Sequence, residues 1–336
     1  MKKFATFVGI DISKKTFDAS IYVAGKNAIT LHQAFAQTEP GYTSFLGWLQ
    51  DESLLLEETL FCMEHTGIYI SGLLHFLHNA GLSVWVEMPL RIKKSMGLQR
   101  GGDDKVASIG IAQYAYRYQD AVKLYSPMDK AIEELQHLTA QRTRLINSIT
   151  QLEVPLNEML ECGDTYLAKD LIRLQQQAIT GIQKSLAKIE AAITKHIKSN
   201  SEIKNKIERV SSIKGIGQQT AINFYIYTKG FTAFKNAKQL ACYCGVVPFA
   251  KSSGTSVRFK TSVSPFANKN LKKLLHLCAL AAIQWNDELK QYYERKVAEG
   301  KNKMSVINAV RNKLVHRIFA VLRDDRLFVE NYVYKP

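Results

Sequence analysis

Long apolar runs are missing from this sequence of 336 residues. No uninterrupted apolar stretch approaches the roughly 20 residues that a membrane-spanning helix needs. The first segment, MKKFATFVGIDIS, contains an acid at Asp11, and no small-residue cleavage site follows it, which favours a β-strand over a signal peptide. We therefore expect no membrane segment and a cytoplasmic location.

Cysteine is also scarce, with five residues in the chain: Cys62, Cys162, Cys242, Cys244 and Cys278. None of them has metal-ligand spacing, so the sequence predicts neither a zinc site nor a disulfide framework, and reduced thiols are expected. Cys242 and Cys244 are two positions apart and would point to different faces of a helix. We interpret both as packing residues.

Acidic residues are outnumbered, since 30 Asp and Glu face 45 Lys and Arg and leave a formal net charge of +15. An excess of this sign indicates a polyanionic partner, most often nucleic acid, whose phosphates the cations neutralise. An anionic membrane surface is a weaker alternative, because no segment combines a basic helical face with bulky apolar anchors. The hydrophobic fraction of 46% is that of a globular protein and excludes a disordered chain.

The apolar periodicity of residues 4–100 indicates an α/β domain. Three strand patterns, FATFVGIDI, FDASIYVA and AITLHQAFA, precede a helix and then two further strands, TLFCMEH and LSVWVEM, with a second helix between them. This order predicts a ribonuclease-H-like (RuvC-like) fold, in which an antiparallel hairpin sheet is extended by parallel strands with helices on its faces. A further helix is expected at about 103–119.

The middle of the chain has a helical pattern. Apolar residues recur at spacings of 3 and 4 over about 129–153 and again over 179–197, with Pro155 and Gly163 between the two runs. The pattern predicts a long helical hairpin or coiled coil suited to self-association. A helical bundle within one subunit is the alternative. We therefore divide the chain into a ribonuclease-H-like domain over 1–125, a helical coiled-coil region over 126–205 and a mainly α-helical domain over 206–336.

The C-terminal domain begins with a glycine turn between two predicted helices. The segment IKGIGQQTA contains Lys214, Gly215 and Gly217 directly before a helix start. This pattern is typical of a helix-hairpin-helix motif, in which a tight turn directs backbone N–H groups at a phosphate. Because Gly-x-Gly also occurs in plain helix connections, the basic character of the chain is what favours nucleic-acid binding here.

Three carboxylates lie at the ends of separate predicted elements. Asp11 is on the first strand, Glu64 ends the strand TLFCMEH, and Asp104 opens the helix after the last strand. Carboxylates gathered from non-adjacent elements are typical ligands of Mg²⁺ or Mn²⁺ ions that assist phosphoryl transfer. Each has a structural alternative, as a turn cap, a solvated strand end or a helix N-cap. The three together favour the metal site.

Cations concentrate in three segments, 91–100, 251–260 and 268–276. These segments suit phosphate contacts, although a solvated charged face is the alternative for each. The candidate nucleic-acid-binding residues in them are Arg91, Lys93, Lys94, Arg100, Lys251, Arg258, Lys260, Lys269, Lys272 and Lys273. Tyr114 and Tyr118 are four apart on a predicted helix, and we interpret them as packing residues and not as a base-stacking platform.

Four segments in this order, VGIDISKKTFD, MEHTGIY, DDKVASIGIAQYA and IKGIGQQTA…FKNAKQLACYCGVVPFAKSSG, resemble the DEDD-type insertion-sequence transposases. These are the bridge-RNA-guided serine recombinases related to the Piv DNA invertase, and the resemblance covers about residues 4–285. It implies a RuvC-like domain, a coiled-coil linker and a domain with a nucleophilic serine, acting on donor and target DNA chosen by a structured guide RNA.

The resemblance also implies roles for single residues. By motif, the first three acids are Asp11, Glu64 and Asp104, and the nucleophile is Ser253, with Ser252 as the neighbouring alternative. The family arrangement further implies a homo-oligomer with a composite site, in which Ser253 of one subunit meets the carboxylates of another.

The third motif departs from the family pattern Asp-x-x-Asp-Ala, because Ala107 stands where the fourth acid belongs and Gly102 where a lysine is usual. Positions 104 and 107 share a helix face, so an acid at 107 would reach the same metal ion. Asp103 points about 100° away from Asp104 and could substitute only if the helix start were rotated. The sequence therefore predicts impaired metal-dependent catalysis.

The residues around Ser253 support its role only in part. Lys251, Arg258 and Lys260 supply positive charge, and Gly254 permits close backbone approach, but no local His or Asp base is evident. A solvated loop is the alternative for this segment.

Other functions stay open at this point. A RuvC-like nuclease that uses water would share the carboxylates and leave the serine idle. A catalytically impaired nucleic-acid-binding protein is favoured by Ala107. An actin-like ATPase is set aside, because the sequence has no second Gly-rich phosphate loop or adenosine motif.

Overall fold

The computed structural model describes residues 3–24, 28–97, 103–161, 169–253 and 257–330, with the side chains of 28–30 and 251–260 outside that description. The chain divides into two compact units, Met1–Pro127 and Met128–Pro336. No helix in the described residues is both long and apolar enough to cross a membrane.

The first unit is built on a five-stranded sheet whose strands run in the order β3-β2-β1-β4-β5. The strands are β1 (Thr6–Ile12), β2 (Thr16–Val23), β3 (Ala28–Ala36), β4 (Thr59–Glu64) and β5 (Ser83–Glu87). The pairs β1–β2 and β2–β3 are antiparallel, and the pairs β1–β4 and β4–β5 are parallel. This confirms the predicted ribonuclease-H-like arrangement of a hairpin sheet extended by parallel strands.

Helices cover both faces of this sheet. They are α1 (Glu39–Asp51), α2 (Ser71–Asn79), α3 (Pro89–Ser95) and α4 (Asp104–Arg117). Because successive strand residues point to opposite faces, Val8 and Ile10 pack with one hydrophobic cluster, which holds residues of α1 and α2, and Phe7 packs with another, which holds Ile111 and Ala112 of α4. The central strands are therefore buried on both sides, as the near-continuous apolar runs of the sequence predict.

The second unit is mainly helical and contains one two-stranded hairpin. Its elements are α5 (Lys130–Glu161), α6 (Lys169–Ser199), α7 (Ser201–Ser211), α8 (Gln218–Tyr227), α9 (Ala237–Tyr243), β6 (Pro248–Ser253), β7 (Val257–Val263), α10 (Lys269–Trp285), α11 (Asp287–Ala298) and α12 (Lys303–Arg323). One hydrophobic core joins residues of α5 and α6 to the helices that follow. The predicted division of this part into a helical region and a C-terminal domain stays a prediction.

The two long helices α5 and α6 pack against each other in antiparallel directions. Arg142 forms an ion pair with Glu190 at 2.9 Å, and the apolar seam between the helices holds Ile149 and Ile179. The spacing thus pairs two helices of one chain, as the predicted helical hairpin does. Association of coiled coils between chains stays a prediction.

Pro155 is a correction to the predicted end of the first long helix. The sequence predicted that this helix ends near residue 153, whereas α5 continues through Pro155 to Glu161. A proline inside a helix removes one backbone hydrogen bond and crowds the preceding turn. The neighbouring Leu152 and Leu156 pack into the seam with α6, and this tertiary packing offsets the local penalty.

Candidate active site

Helix α4 lies unusually close to β1, and Gly9 is the reason. A Cβ atom at Gly9 would lie 2.1 Å from the Ser108 carbonyl oxygen and 2.2 Å from the Ala112 nitrogen. The hydroxyls of Ser20 and Ser108 are 2.7 Å apart in the same buried layer, and they tie the helix to β2. Because Gly9 has no side chain, α4 can pack directly on the strand backbone.

This contact sets the position of Asp104 relative to Asp11. The ring of Tyr116 packs on Phe7 with centroids 5.4 Å apart, whereas Ser108 lies over Gly9, so α4 runs antiparallel to β1. One turn before Ser108 is Asp104, and two residues after Gly9 on the same strand face is Asp11. The fold therefore directs the start of α4 toward the end of β1.

Electrostatics link Asp11 to Asp104. Partial burial raises the pKa of Asp11 above its ordinary value, and the charges of Asp104 and Asp18 raise it further, against one lowering contribution from the backbone N–H of Ile12. Asp18 is the cross-strand partner of Asp11, and its own carboxylate is 2.8 Å from His32. Asp11 is thus an acid surrounded by like charge.

Glu64 lies beside Asp11 at the end of the adjacent parallel strand. The ladder pairs Ile10 with Met63, which places the next residue of each strand, Asp11 and Glu64, side by side. Partial burial and the charge of Asp11 raise the pKa of Glu64, and the charge of Lys93 lowers it. The structure therefore brings two predicted acids to one sheet edge and directs the third toward them.

These residues fit a divalent cation in donor type, since carboxylate oxygens are the hard ligands that Mg²⁺ and Mn²⁺ prefer. The described residues contain no group of three His, Cys, Asp or Glu side chains close enough to hold a metal ion. The acids are thus electrostatically coupled without forming a complete ligand set.

Asp103 does not replace the missing fourth acid. It is the N-cap of α4, and its carboxylate accepts a hydrogen bond of 2.7 Å from the Val106 backbone N–H. A capping carboxylate is committed to the helix terminus. Ala107, one turn into the helix and half-buried, has no ligating atom. Helix α4 therefore does not begin at a position that would leave the Asp103 carboxylate free to replace the fourth acid.

Glu87 is a buried acid that the sequence analysis missed. It ends β5 and pairs with Glu64 across the parallel ladder. Its carboxylate accepts hydrogen bonds from the Tyr114 hydroxyl at 3.1 Å and the Met88 backbone N–H at 2.7 Å, and Arg91 lies 3.4 Å away. Burial and the charge of Glu87 raise the pKa of Tyr114 to about 12. The signal was available, because LSVWVEM has an acid at its second-last position, as TLFCMEH does.

The serine segment forms the hairpin of β6 and β7. In its ladder Ser252 pairs with Arg258 and Ser253 with Val257. The side chains of Ser252, Ser253, Lys251, Arg258 and Lys260 and all of Gly254 lie outside the described residues. Ser253 is therefore the last residue of β6, and its role as nucleophile stays a prediction.

The remaining predicted phosphate contacts are distributed over both units. Arg91, Lys93 and Lys94 are exposed on α3, and Arg100 lies outside the described residues. Lys269, Lys272 and Lys273 occupy the first turns of α10, which Asn268 caps. Their role as nucleic-acid contacts stays a prediction.

The glycine turn between α7 and α8 packs tightly in the second unit. Gly215 has φ +94°, and a Cβ atom there would lie 2.8 Å from the backbone of Ala282. Gly217 is the N-cap of α8, and Lys214 forms an ion pair with Glu330 at 3.0 Å. The glycine turn thus has a packing role, and its predicted contact with a phosphate stays a prediction.

Two pairs of residues that the sequence interprets as packing residues, one of tyrosines and one of cysteines, differ in the structure. Tyr114 is buried with its ring 4.8 Å from that of Tyr118, which confirms that this pair packs. Cys244 is buried as predicted, but Cys242 is exposed on α9, so its interpretation as a packing residue is wrong. Residues two apart on a helix face different directions, and only one of these faces the core.

Comparison with known proteins gives two family matches. Residues 8–162 match a transposase domain of the DEDD type, and residues 207–294 match the family described as "Transposase IS116/IS110/IS902 family". Together the two matches span more than two thirds of the chain.

Individual relatives agree with these matches. The chain is 26% identical over 327 residues to the pilin gene-inverting protein of Moraxella bovis, covering 96% of this chain and 97% of the relative. It is 30% identical over 119 residues to an uncharacterized 43.6 kDa protein of insertion element IS110 from Streptomyces coelicolor, covering 35% and 29%. Among solved structures, T. thermophilus RuvC in complex with a Holliday junction substrate matches with a TM-score of 0.28 at 11% identity, over 36% of this chain and 99% of that one.

Proposed function

Because the chain belongs to the IS116/IS110/IS902 transposase family, we propose that it is a DNA recombinase that cuts and rejoins strands of donor and target DNA by phosphoryl transfer. The observation that carries this proposal is that β1 and β4 place Asp11 and Glu64 side by side, while the close contact of α4 on β1 directs Asp104 toward them. A net charge of +15 supports DNA as the partner.

The carboxylates would act by holding a divalent cation. Asp11, Glu64 and Asp104 are its ligands in this proposal, and the positive charge of the cation would offset the burial and the charge of Asp104 that raise the pKa of Asp11. When bound, such a cation supplies positive charge that stabilises the oxygens of the reacting phosphate. Glu87 acts as a positioning residue, because its hydrogen bonds connect β5 to α3 and α4.

Ser253 would supply the nucleophile. Its hydroxyl oxygen bonds to the DNA phosphorus while the bond from phosphorus to the DNA sugar oxygen breaks, and the serine proton ends on that departing oxygen. The strand is then held as a phosphoserine ester until a DNA hydroxyl reverses the exchange. The position of Ser253 at the end of β6 supports this role.

We further propose that a structured guide RNA selects the DNA and that the active form is a homo-oligomer. Base pairing would read sequence while the basic surface contacts backbone phosphates. Exposed apolar side chains near the joined end of α5 and α6 support self-association. They are Val154 (49% exposed), Leu160 (51%), Leu171 (50%) and Leu174 (59%).

Ala107 lowers the activity expected of this chain, because the acid of the family motif is absent and Asp103 is committed to capping. The test incubates the protein and its Ala107→Asp variant with Mg²⁺, flanking DNA and the RNA transcribed from it. We expect a covalent protein–DNA band on a denaturing gel that is at least about tenfold stronger with Ala107→Asp. Ser253→Ala should abolish the band in either background, and Ser252→Ala serves as the matched control.

Two other results would each replace this proposal. DNA cleavage with no adduct in either protein would indicate a RuvC-like nuclease that uses water. Tight DNA binding with neither cleavage nor adduct would indicate a nucleic-acid-binding protein. An adduct of equal strength with and without the acid at 107 would contradict the impairment.

A further inference from the structure

A pocket of about 560 Å³ lies within the second unit, formed by α7, the segment between α8 and α9, and α12. Its volume is in the range of pockets that bind small organic groups. None of its lining residues belongs to the candidate active site or to the glycine turn. No role described so far uses it.

The apolar part of the pocket is aromatic. Phe231, Phe234 and Phe319 line it, and each of the three rings is half-buried and thus still accessible. Aromatic faces of this kind stack on planar groups, and nucleobases are the planar groups a nucleic-acid-binding protein meets.

Phe231 occupies this pocket at a conformational cost. Its φ is +67°, in the left-handed region that bulky residues rarely adopt, and it follows Lys229 and Gly230, which also have positive φ. The conformation is held by a hydrogen bond of 3.0 Å from the Phe231 N–H to the Thr228 hydroxyl. Glycine would adopt this backbone conformation without strain, so an aromatic ring is present at a position where the backbone favours glycine.

The remainder of the pocket is predominantly basic. Lys206, Arg209, Lys235 and Arg323 line it together with His316, and Asp325 is the one carboxylate among the lining residues. Lys206 pairs with Glu202, Arg209 with Asp325, and Arg323 with Asp324; Glu202 and Asp325 are exposed, and Asp324 is half-buried. Because the lining also includes Lys235, the pocket combines aromatic faces with a small excess of positive charge.

We propose that this pocket binds one unstacked nucleotide of a single-stranded nucleic acid, with the base against the phenylalanine rings and the backbone phosphate at the cations. The proposal rests on the proposed function only in taking nucleic acid as the partner. Guide RNA and an opened DNA strand share this chemistry. A duplex does not, because its bases are stacked and paired.

The first test uses the full chain and fluorescent oligothymidylate and oligouridylate of about 8 nucleotides, within the site size of aromatic single-strand sites. We expect Phe234→Leu and Phe319→Leu each to weaken single-strand binding by about 5- to 150-fold, while affinity for duplex DNA stays unchanged. Phe328→Leu is the matched control. Phe328 is half-buried on the same core with its ring 5.0 Å from Arg317, outside the pocket.

The second test addresses the charge with a substitution at the surface that leaves the core intact. Lys235→Gln should reduce the slope of log affinity against log salt by about 0.7 for single strands. Lys290→Gln, an exposed lysine on α11, should leave the slope unchanged. Oligonucleotides containing 5-iodouracil should form photo-crosslinks that map to the segment 231–234 or to Phe319.

The proposal is supported if loss of a phenylalanine ring weakens the binding of either oligonucleotide. The oligonucleotide that binds more tightly identifies whether the nucleotide comes from RNA or from DNA. The proposal is overturned if the ring variants bind single strands as the parent protein does, if Phe328→Leu causes an equal loss, or if crosslinks map elsewhere. These readouts do not involve the covalent adduct of Ser253. An experiment can therefore contradict the proposed recombinase activity without contradicting the proposed nucleotide pocket, and the reverse.

Discussion

At the scale of single residues, Asp11 is placed where its negative charge is unfavourable. Its pKa is raised in the folded protein, mainly by burial and then by Asp104. An acid with a raised folded-state pKa stabilises the fold fully below its unfolded pKa of about 3.9, and this stability is lost as pH rises through the folded pKa. At neutral pH the ionised carboxylate therefore opposes folding.

We predict that Asp11→Asn raises the thermal unfolding midpoint at pH 7 in a chelating buffer by about 1–4 °C. The gain should disappear below about pH 4, where the parent carboxyl is protonated in both states. Calorimetry across this pH range measures the effect. Asp51→Asn, at an exposed position on α1, should leave the midpoint within error. An Asp11→Asn protein that melts lower at pH 7 would contradict the prediction.

At the scale of elements, the decisive contact is that of α4 on β1. Gly9 permits it, and the contact directs the start of α4 toward Asp11. We predict that Gly9→Ala destabilises the protein by about 1–3 kcal/mol, because the added methyl group overlaps the α4 backbone. When combined with Ala107→Asp, Gly9→Ala should also reduce the amount of covalent protein–DNA adduct, because α4 must move away from β1.

Gly47 on α1 provides a control for the same substitution. A Cβ atom at Gly47 meets nothing within 4 Å. Gly47→Ala should therefore stabilise the protein by about 0.5–1 kcal/mol, as replacement of a helical glycine does. Chemical denaturation of both variants measures the difference, and equal stabilities would show that α4 is not held against β1 as closely as described.

At the scale of the whole molecule, the proposed homo-oligomer needs a surface through which its subunits associate. The apolar seam of α5 and α6 is already filled by residues of one chain, which leaves the exposed residues near their joined end. We predict that the double substitution Leu171→Glu and Leu174→Glu weakens self-association at least about tenfold, since two apolar side chains leave a contact. Light scattering across a concentration series measures the mass.

The control for this prediction is Leu55→Glu, which places one negative charge, against two in the double variant, on an exposed leucine (66%) of the first unit. Its association should match that of the parent protein. If the double variant also keeps the parent mass, another surface holds the subunits together. Steep loss of DNA affinity with salt is expected of every variant that keeps the net charge near +15.

Particular elements show how much the sequence could predict. The near-continuous apolar runs in FATFVGIDI and TLFCMEH predicted two strands, and the structure confirms them as β1 and β4. The helix at 103–119 is confirmed as α4 over Asp104–Arg117. The end of the first long helix was wrong by several residues, because Leu152 and Leu156 pack on residues far along the chain and override the proline between them.

The sequence alone therefore determined the five strands of the first unit and their order along the chain, helix α4, the excess of positive charge, and the absence of an acid at position 107. These properties follow from local periodicity and composition. The sequence did not predict the strands β6 and β7. Only the tertiary structure decided that Asp103 caps α4, that Glu87 bonds to Tyr114, and that the apolar seam is filled within one chain. The pocket between α7 and α12 likewise joins residues more than one hundred positions apart. Such contacts depend on how closely elements pack, and at β1 that distance is set by the missing side chain of Gly9.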